Sequence, residues 1–270
     1  MKLSDYEAKI VLVTGASSGL GRALAVGAAR RGAEAVIVNY AGNLAGAEET
    51  ARAVEAFGAK SLIVQADVSD DAACRALAEA ASRFGRIDAL FNNAGITVFA
   101  AKHADLEAVN AEDFLNLYRV NVVGAFQMVR ACRLLLEAGE AAGAVVNTSS
   151  IAGVMGIGSS VPYAASKGAM NTLTLSLARA LAPKIRVNAV CPGFIDTPWF
   201  DKAPGGAASD AVRDRLRQSV AAGTPLQVAS QPDDIADSAL FLGSPLSRHV
   251  TGETLLVDAG THLGPAATRR

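Results

Sequence analysis

Tyr163 and Lys167, within Pro162-Tyr-Ala-Ala-Ser-Lys167, stand four positions apart. On a helix that spacing puts a phenol and an ammonium on one face. A free phenol has a pKa of about 10, and an ammonium held beside it favours the phenolate, so the pair can exchange a proton with an alcohol or carbonyl oxygen near neutral pH. The chemistry suggested is carbonyl/alcohol interconversion. By itself the spacing also suits a surface pair, so the reading depends on what the rest of the chain places around it.

The elements that must position this pair are legible as short apolar or β-branched runs at 10–13, 35–38, 61–64, 89–91, 144–147, 186–190 and 254–257. The first six are separated by alanine-rich, amphipathic segments long enough for a helix. That alternation predicts a Rossmann-type, doubly wound α/β fold: a parallel seven-stranded sheet with helices on both faces. No linker composition or repeat divides the 270 residues, so one domain over 1–270 is expected. Two segments interrupt the alternation, 96–110 and 198–225. Both leave the carboxyl ends of strands, where open α/β sheets bind ligands, and 198–225 reads as a substrate lid. The stretch 264–270 has no periodicity and is expected to fray.

Lys and Arg number 25 against 26 Asp and Glu, a net charge of −1. This balance argues against a nucleic-acid surface or a polybasic membrane patch. Although 51% of residues are hydrophobic, much of that is alanine, and no run approaches the ~18 apolar residues needed to cross a bilayer. The N-terminal residues carry two acids and no signal-peptide core, and Cys74, Cys132 and Cys191 are widely spaced. A reduced, cytoplasmic protein without a metal site is expected.

The first strand runs into Thr14-Gly15-Ala-Ser-Ser-Gly19-Leu-Gly21 and then a helix. Glycines at a strand-to-helix turn let backbone N–H groups and the helix dipole approach a pyrophosphate, which assigns Gly15, Ser17, Ser18, Gly19, Leu20 and Gly21 to a dinucleotide. The spacing Gly-x-x-x-Gly-x-Gly differs from the general Gly-x-Gly-x-x-Gly fingerprint. The second strand ends Val38-Asn39-Tyr40-Ala41. A carboxylate there would take the ribose 2′-hydroxyl of NAD and repel a 2′-phosphate. Asn39 does neither, so NADP(H) is favoured and NAD(H) still accommodated, with Asn39 and Tyr40 at the ribose and Arg22 within possible reach of a phosphate.

Further segments complete a set: Asp67-Val68, Asn92-Asn93-Ala94-Gly95, Asn121 in Val-Asn-Val-Val-Gly124, Ser149-Ser150, and Pro192-Gly193-Phe-Ile-Asp-Thr197. In identity and order, from Thr14 to about Gly260, they resemble the classical short-chain dehydrogenase/reductase family. The resemblance implies a catalytic set of Asn121, Ser150, Tyr163 and Lys167. Ser150, thirteen positions before Tyr163, would bond the substrate oxygen, and Tyr163 would donate or accept the proton. Lys167 would lower the tyrosine pKa and bind the nicotinamide ribose, while Asn121 would hold a water joining Lys167 to solvent. It further implies that Asp67 and Val68 meet the adenine and that Asn93, Ala94 and Gly95 border the adenosine ribose. Pro192, Gly193, Ile195 and Thr197 would surround the nicotinamide. Asn92 reads as structural, and His103 as a surface loop residue.

The resemblance implies an oxidoreductase that moves a hydride between NAD(P) and a small ketone, oxoacyl group or secondary alcohol, with a homotetramer (or homodimer) as the expected assembly. Apolar residues at 114–136 suit a partner helix. Val154, Met155, Ile157, Val161, Trp199 and Phe200 suggest an apolar pocket. Two features depart from the family's pattern. Val-Asp258-Ala259-Gly260 has alanine where many relatives have glycine, and 97–110 is longer than in the acyl-carrier-protein ketoreductases, which weakens transfer of that function. Rival readings are an NAD-dependent sugar or cyclic-alcohol dehydrogenase and a nucleotide-binding regulator without turnover.

Overall fold

Seven strands form one parallel sheet in the order β3-β2-β1-β4-β5-β6-β7. They are β1 Ile10–Val13, β2 Ala35–Tyr40, β3 Lys60–Gln65, β4 Ala89–Asn92, β5 Gly143–Thr148, β6 Ile185–Pro192 and β7 Thr254–Val257. The computed structural model describes residues 4–100, 102–199 and 210–264. Strand order reverses between β1 and β4, so a cleft opens at their carboxyl ends.

The central strands are apolar without alternation because both faces are covered. Val11 and Val13 of β1 join Val36 and Val38 of β2 in a core under α1 (Gly19–Arg30), α2 (Leu44–Glu55) and α9 (Pro232–Gly243). Ile10, Leu12, Ala35 and Ile37 face the opposite layer, built on α3 (Asp71–Ala81), α5 (Ala125–Glu137) and α7 (Val161–Leu181). Edge strands β3 and β7 are only partly covered. None of the helices among the described residues is long and apolar enough to cross a membrane.

Two helical details position the site. α4 (Ala111–Tyr118) and α5 are joined by a π-helical turn, Arg119–Gly124, rather than forming one regular helix. Such turns push a residue out of α register, and here the residue in it is Asn121. At α7, Ser160 is the N-cap, its hydroxyl accepting from Tyr163 N at 3.4 Å, and Pro162 occupies the first turn. Cap and proline together fix where the helix begins, and therefore where Tyr163 points.

Ala259, the departure from the relatives' glycine, is held at φ +54°. The alanine therefore takes the left-handed conformation natural to glycine, where its Cβ costs about 1–2 kcal/mol. Its carbonyl accepts from Leu226 N at 3.2 Å, which holds the backbone there. Ala259→Gly is expected to stabilise the protein by about 1 kcal/mol, raising Tm by about 2–4 °C. A melting curve shifted downward would count against backbone strain at this turn.

Of the lid expected at 198–225, Pro198, Trp199 and 210–225 are described, including α8 (Asp210–Gly223). Phe200 lies outside the described residues, as does 265–270 of the expected tail.

Candidate active site

The glycine-rich turn is held from both neighbouring strands. Thr14 Oγ1 accepts from Asn93 N and Ala94 N, each at 3.0 Å, and donates to Phe91 O. The Asn93 amide donates to Thr14 O at 3.0 Å and Gly15 O at 3.2 Å. A Cβ on Gly21 would lie 2.2 Å from Gly15 O, so the turn closes only around glycine. Ser18 caps α1 with extended backbone and makes no side-chain bond to the first turn. The result is a cradle of backbone N–H groups and helix dipole, unobstructed by side chains at Gly15, Gly19 and Gly21, which fits a dinucleotide pyrophosphate. Ser17 O and Leu20 are also taken up by the fold, the former by Arg22 Nη2 at 3.0 Å and the latter by the core.

Two expectations at the ribose end are corrected. Asn39 is 1% exposed: its Oδ1 accepts from Gly15 N at 3.2 Å, and its Nδ2 donates to Ala66 O at 3.0 Å and Val64 O at 3.3 Å. The side chain is spent between β2, β3 and the turn, and presents nothing to a ribose. Tyr40, 8% exposed, belongs to the core that also holds Val54 and Ala47. The exposed residues at this end are instead Ala41, Gly42 and Asn43. Arg22 is also committed, to Ser17 O, Gly46 O, Thr50 and, at 2.8 Å, the Glu49 carboxylate.

Asp67 is exposed at the end of β3, one carboxylate oxygen accepting from Ser69 N. Val68 is buried against Gly124, and its carbonyl takes a bond from the Gln127 amide at 2.7 Å. Across the cleft, Pro192 O accepts from Ile151 N, Gly193 N donates to Val257 O, and Ile195 is bridged to Ser230. The Thr197 methyl lies 3.3 Å from where a Gly19 Cβ would stand.

Ser150, Tyr163, Lys167 and Asn121 gather at the carboxyl ends of β4 and β5. Ser149 is buried and donates to Lys167 O and Asn171 Oδ1, whereas Ser150 is half-buried and its Oγ accepts from Ala152 N at 3.1 Å. The protein around Tyr163 desolvates its phenolate and pushes the pKa up to about 12, with a hydrogen bond from Ser150 pulling the other way. Lys167 sits 5.7 Å from the Tyr163 ring centre, but its ammonium donates to Thr148 O at 2.8 Å. Burial thus holds the phenol toward its protonated form, while the ammonium is directed at the Thr148 carbonyl. Lys167 itself is 5% exposed, and desolvation brings its pKa down to about 8, the nearby Cys191 acting the other way.

The Asn121 side chain is bonded within the fold. Its Oδ1 accepts from Ile96 N at 2.8 Å, and both amide hydrogens are taken, by Ile96 O and Ser166 Oγ. A water at this residue would therefore have only the remaining lone pair of Oδ1 or the main chain. The side chain instead pins Ile96, whose neighbour Gly95 leaves space between Asn121 Oδ1 and Lys167 Nζ. Thr148, Ser160 and Ser166 escaped the sequence reading, and Thr14 was read only as the start of the glycine-rich turn. Only Ser160, before Val-Pro, carried a signal, that of a helix cap.

The walls beside Tyr163 are apolar. Val154, Met155, Ile157 and Val161 are exposed, and the Trp199 ring stands 6.2 Å from that of Tyr163, centre to centre. The 97–110 segment docks on the turn before α7: Ala100 N donates to Ser159 O at 2.9 Å, Thr97 Oγ1 bonds Ser159 Oγ, and His103, exposed, lies 3.4 Å from Gly158 O.

Known proteins place this arrangement. The family described as enoyl-(acyl carrier protein) reductase matches residues 15–262. A candidate ketoacyl reductase of the granaticin polyketide synthase from Streptomyces violaceoruber is 41% identical over 259 residues, 95% of this chain and 97% of that one. An L-rhamnose 1-dehydrogenase (NAD(P)(+)) of Sphingomonas is 36% identical over 265 residues, 97% and 99% of the two chains. A solved structure from Burkholderia xenovorans, assigned to the short-chain dehydrogenases/reductases, superposes with a TM-score of 0.84 at 38% identity, covering 95% of this chain and 99% of its own. The chain is a short-chain dehydrogenase/reductase.

This dehydrogenase/reductase is accordingly an oxidoreductase of carbonyl and alcohol groups that uses a nicotinamide cofactor. The family membership speaks against a binding-only regulator. The cradle around Gly15 and Gly21 fits that cofactor's pyrophosphate, and the buried Lys167 ammonium is the cation at the far end of the cleft. No group of His, Cys, Asp and Glu suited to a metal ion occurs among the described residues.

Proposed function

We propose that the enzyme is an NADPH-favouring reductase of a ketone or oxoacyl group, reversible in principle. The observation that carries this reading is the Tyr163 phenol, held toward its protonated form by burial, beside the Ser150 hydroxyl, with the Lys167 ammonium 5.7 Å from its ring and exposed apolar side chains nearby. A bound nicotinamide cofactor supplies or takes the hydride. Ser150 bonds the substrate oxygen and stabilises its developing negative charge, and Tyr163 gives that oxygen its proton in reduction and recovers it in oxidation. Lys167 binds ribose hydroxyls and favours the phenolate once the proton has left. Asn121 holds Ile96 as one wall of the substrate space. Val154, Met155, Ile157, Val161 and Trp199 form its apolar remainder.

NADPH is favoured because the second strand ends without a carboxylate; the pairing of Arg22 with Glu49 works in the opposite sense. The alternative, an NAD-dependent sugar or cyclic-alcohol dehydrogenase, draws support from the similarity to the rhamnose dehydrogenase. A panel of 3-oxo esters and thioesters, cyclic ketones, sugars and secondary alcohols, run with NADPH/NADP and NADH/NAD, separates the two. Turnover of sugars with NAD and of no ketone would overturn the proposal.

A cytoplasmic location belongs to this reading, and the free, buried Cys74, Cys132 and Cys191 suit a reducing compartment. So does a homotetramer. Leu115, Val123, Phe126 and Leu134, on the α4–α5 arm, and Leu175 of α7 are exposed, more apolar surface than a helix face normally leaves to water. Light scattering on a size-exclusion column is expected to return four subunits; a clean monomer would refute it.

A further inference from the structure

Asp196 lies in the loop after β6, between Ile195 and Thr197, and its side chain is 5% exposed. The carboxylate accepts from Arg217 Nε of α8 and, at 3.3 Å, from the amide of Gln231, which caps α9. Three elements therefore meet on one nearly buried carboxylate. The loop itself is held independently: Gly193 packs on Asp258, Asp196 N donates to Ser230 O at 2.9 Å, and Thr197 rests on Gly19 of the phosphate turn. α8, by contrast, is a polar helix, DAVRDRLRQSVAAG. Arg217 is steadied on it by Asp214, one turn earlier, at 2.9 Å. A carboxylate so nearly removed from water needs a cation, and among the described residues Arg217 of α8 supplies it.

We propose that Arg217 is a positioning residue: its ion pair with Asp196 sets where α8 stands against the loop bordering the phosphate turn, and so governs KM rather than the chemical step. The proposal rests on the hydride-transfer reading above. α8 ends three residues before Leu226, whose N donates to Ala259 O, and Trp199, beside Tyr163, follows Asp196 by three residues. Losing the pair removes a tie between α8 and that loop.

The test compares Arg217→Gln and Arg217→Lys with the wild type, using NADPH and ethyl acetoacetate, a small 3-oxo ester, as probes. Arg217→Gln is expected to raise both KM values about fivefold to tenfold with kcat within about twofold, and Arg217→Lys to recover most of the loss. Trypsin cleavage at Arg213 and Arg215 of α8 is expected to quicken several-fold in Arg217→Gln, since helix opening no longer breaks an ion pair. Wild-type KM values together with wild-type cleavage rates would overturn the proposal. Should the wild-type enzyme turn over no carbonyl or alcohol, the functional reading falls; the cleavage comparison, which needs no turnover, still decides the role of Arg217.

Discussion

Tyr163→Phe is expected to lower kcat by about 10³-fold while NADPH affinity stays within about twofold, because the ring remains and only the proton donor is lost. The pH dependence sharpens the test. In the free enzyme burial pushes the phenol up to about 12 and brings Lys167 down to about 8. Reduction needs the phenol protonated and Lys167 charged, so its kcat/KM is flat below pH 8 and falls above it as Lys167 loses its proton. Oxidation needs the phenolate with charged Lys167. Its kcat/KM rises about tenfold per pH unit up to pH 8, where the gain in phenolate and the loss of ammonium begin to cancel. Profiles of both directions, with residual Tyr163→Phe oxidation no longer rising tenfold per unit below pH 8, would support the assignment. Retained turnover in Tyr163→Phe would remove the phenol from the proton transfer.

Lys167→Met is expected to lower kcat by about 10²-fold or more, weaken NADPH binding about tenfold, and yet make the cofactor-free protein more stable at pH 7. The last effect follows from burial: the ammonium is desolvated, and the hydrogen bond recorded for it goes to a backbone carbonyl rather than a carboxylate. Methionine fills the same volume at no such cost, and a gain of about 1–2 kcal/mol, or roughly 2–6 °C in Tm, is expected. The sign with pH is fixed by linkage. The folded pKa of about 8 lies below the unfolded value near 10.4, so between the two the unfolded chain binds more protons. Wild-type stability therefore rises from pH 8 toward 10.4, and the advantage of methionine is full below pH 8 and shrinks above it. Melts at pH 6.5 and 9.5 check this; a less stable Lys167→Met at both would mean that the bond to Thr148 O outweighs desolvation.

The sheet was legible because burial on both faces leaves strands such as β1 and β2 no polar positions, so each reads as an uninterrupted apolar run. The spacing of four marked Tyr163 and Lys167 as neighbours on one helix face, whereas Ser150 joined them only through the family resemblance. What escaped detection depends on parity and on backbone. Asn39 looked like a ribose contact because it stands at a strand end. Its register opposite Val64 turns the amide inward, to the β3 carbonyls, and sequence does not announce register. The partner of Lys167 is the carbonyl of Thr148, a group every residue possesses and no residue type advertises. The π turn at Asn121 is likewise unmarked, for Arg-Val-Asn-Val-Val-Gly carries no proline and no unusual cap.

The cover over α1 comes from the far end of the chain. Leu240 of α9 lies 2.7 Å from where a Gly27 Cβ would be, Tyr6 donates to Leu240 O at 2.8 Å, and Arg31 reaches Asp237 at 2.8 Å. During synthesis the nucleotide-binding half leaves the ribosome with that apolar face uncovered, and it stays so until roughly 240 residues have been made. A chaperone has a defined surface to guard in that interval. For the same reason the glycine-rich turn, although written at residues 15–21, acquires its finished surroundings only once Thr197 and α9 have been made.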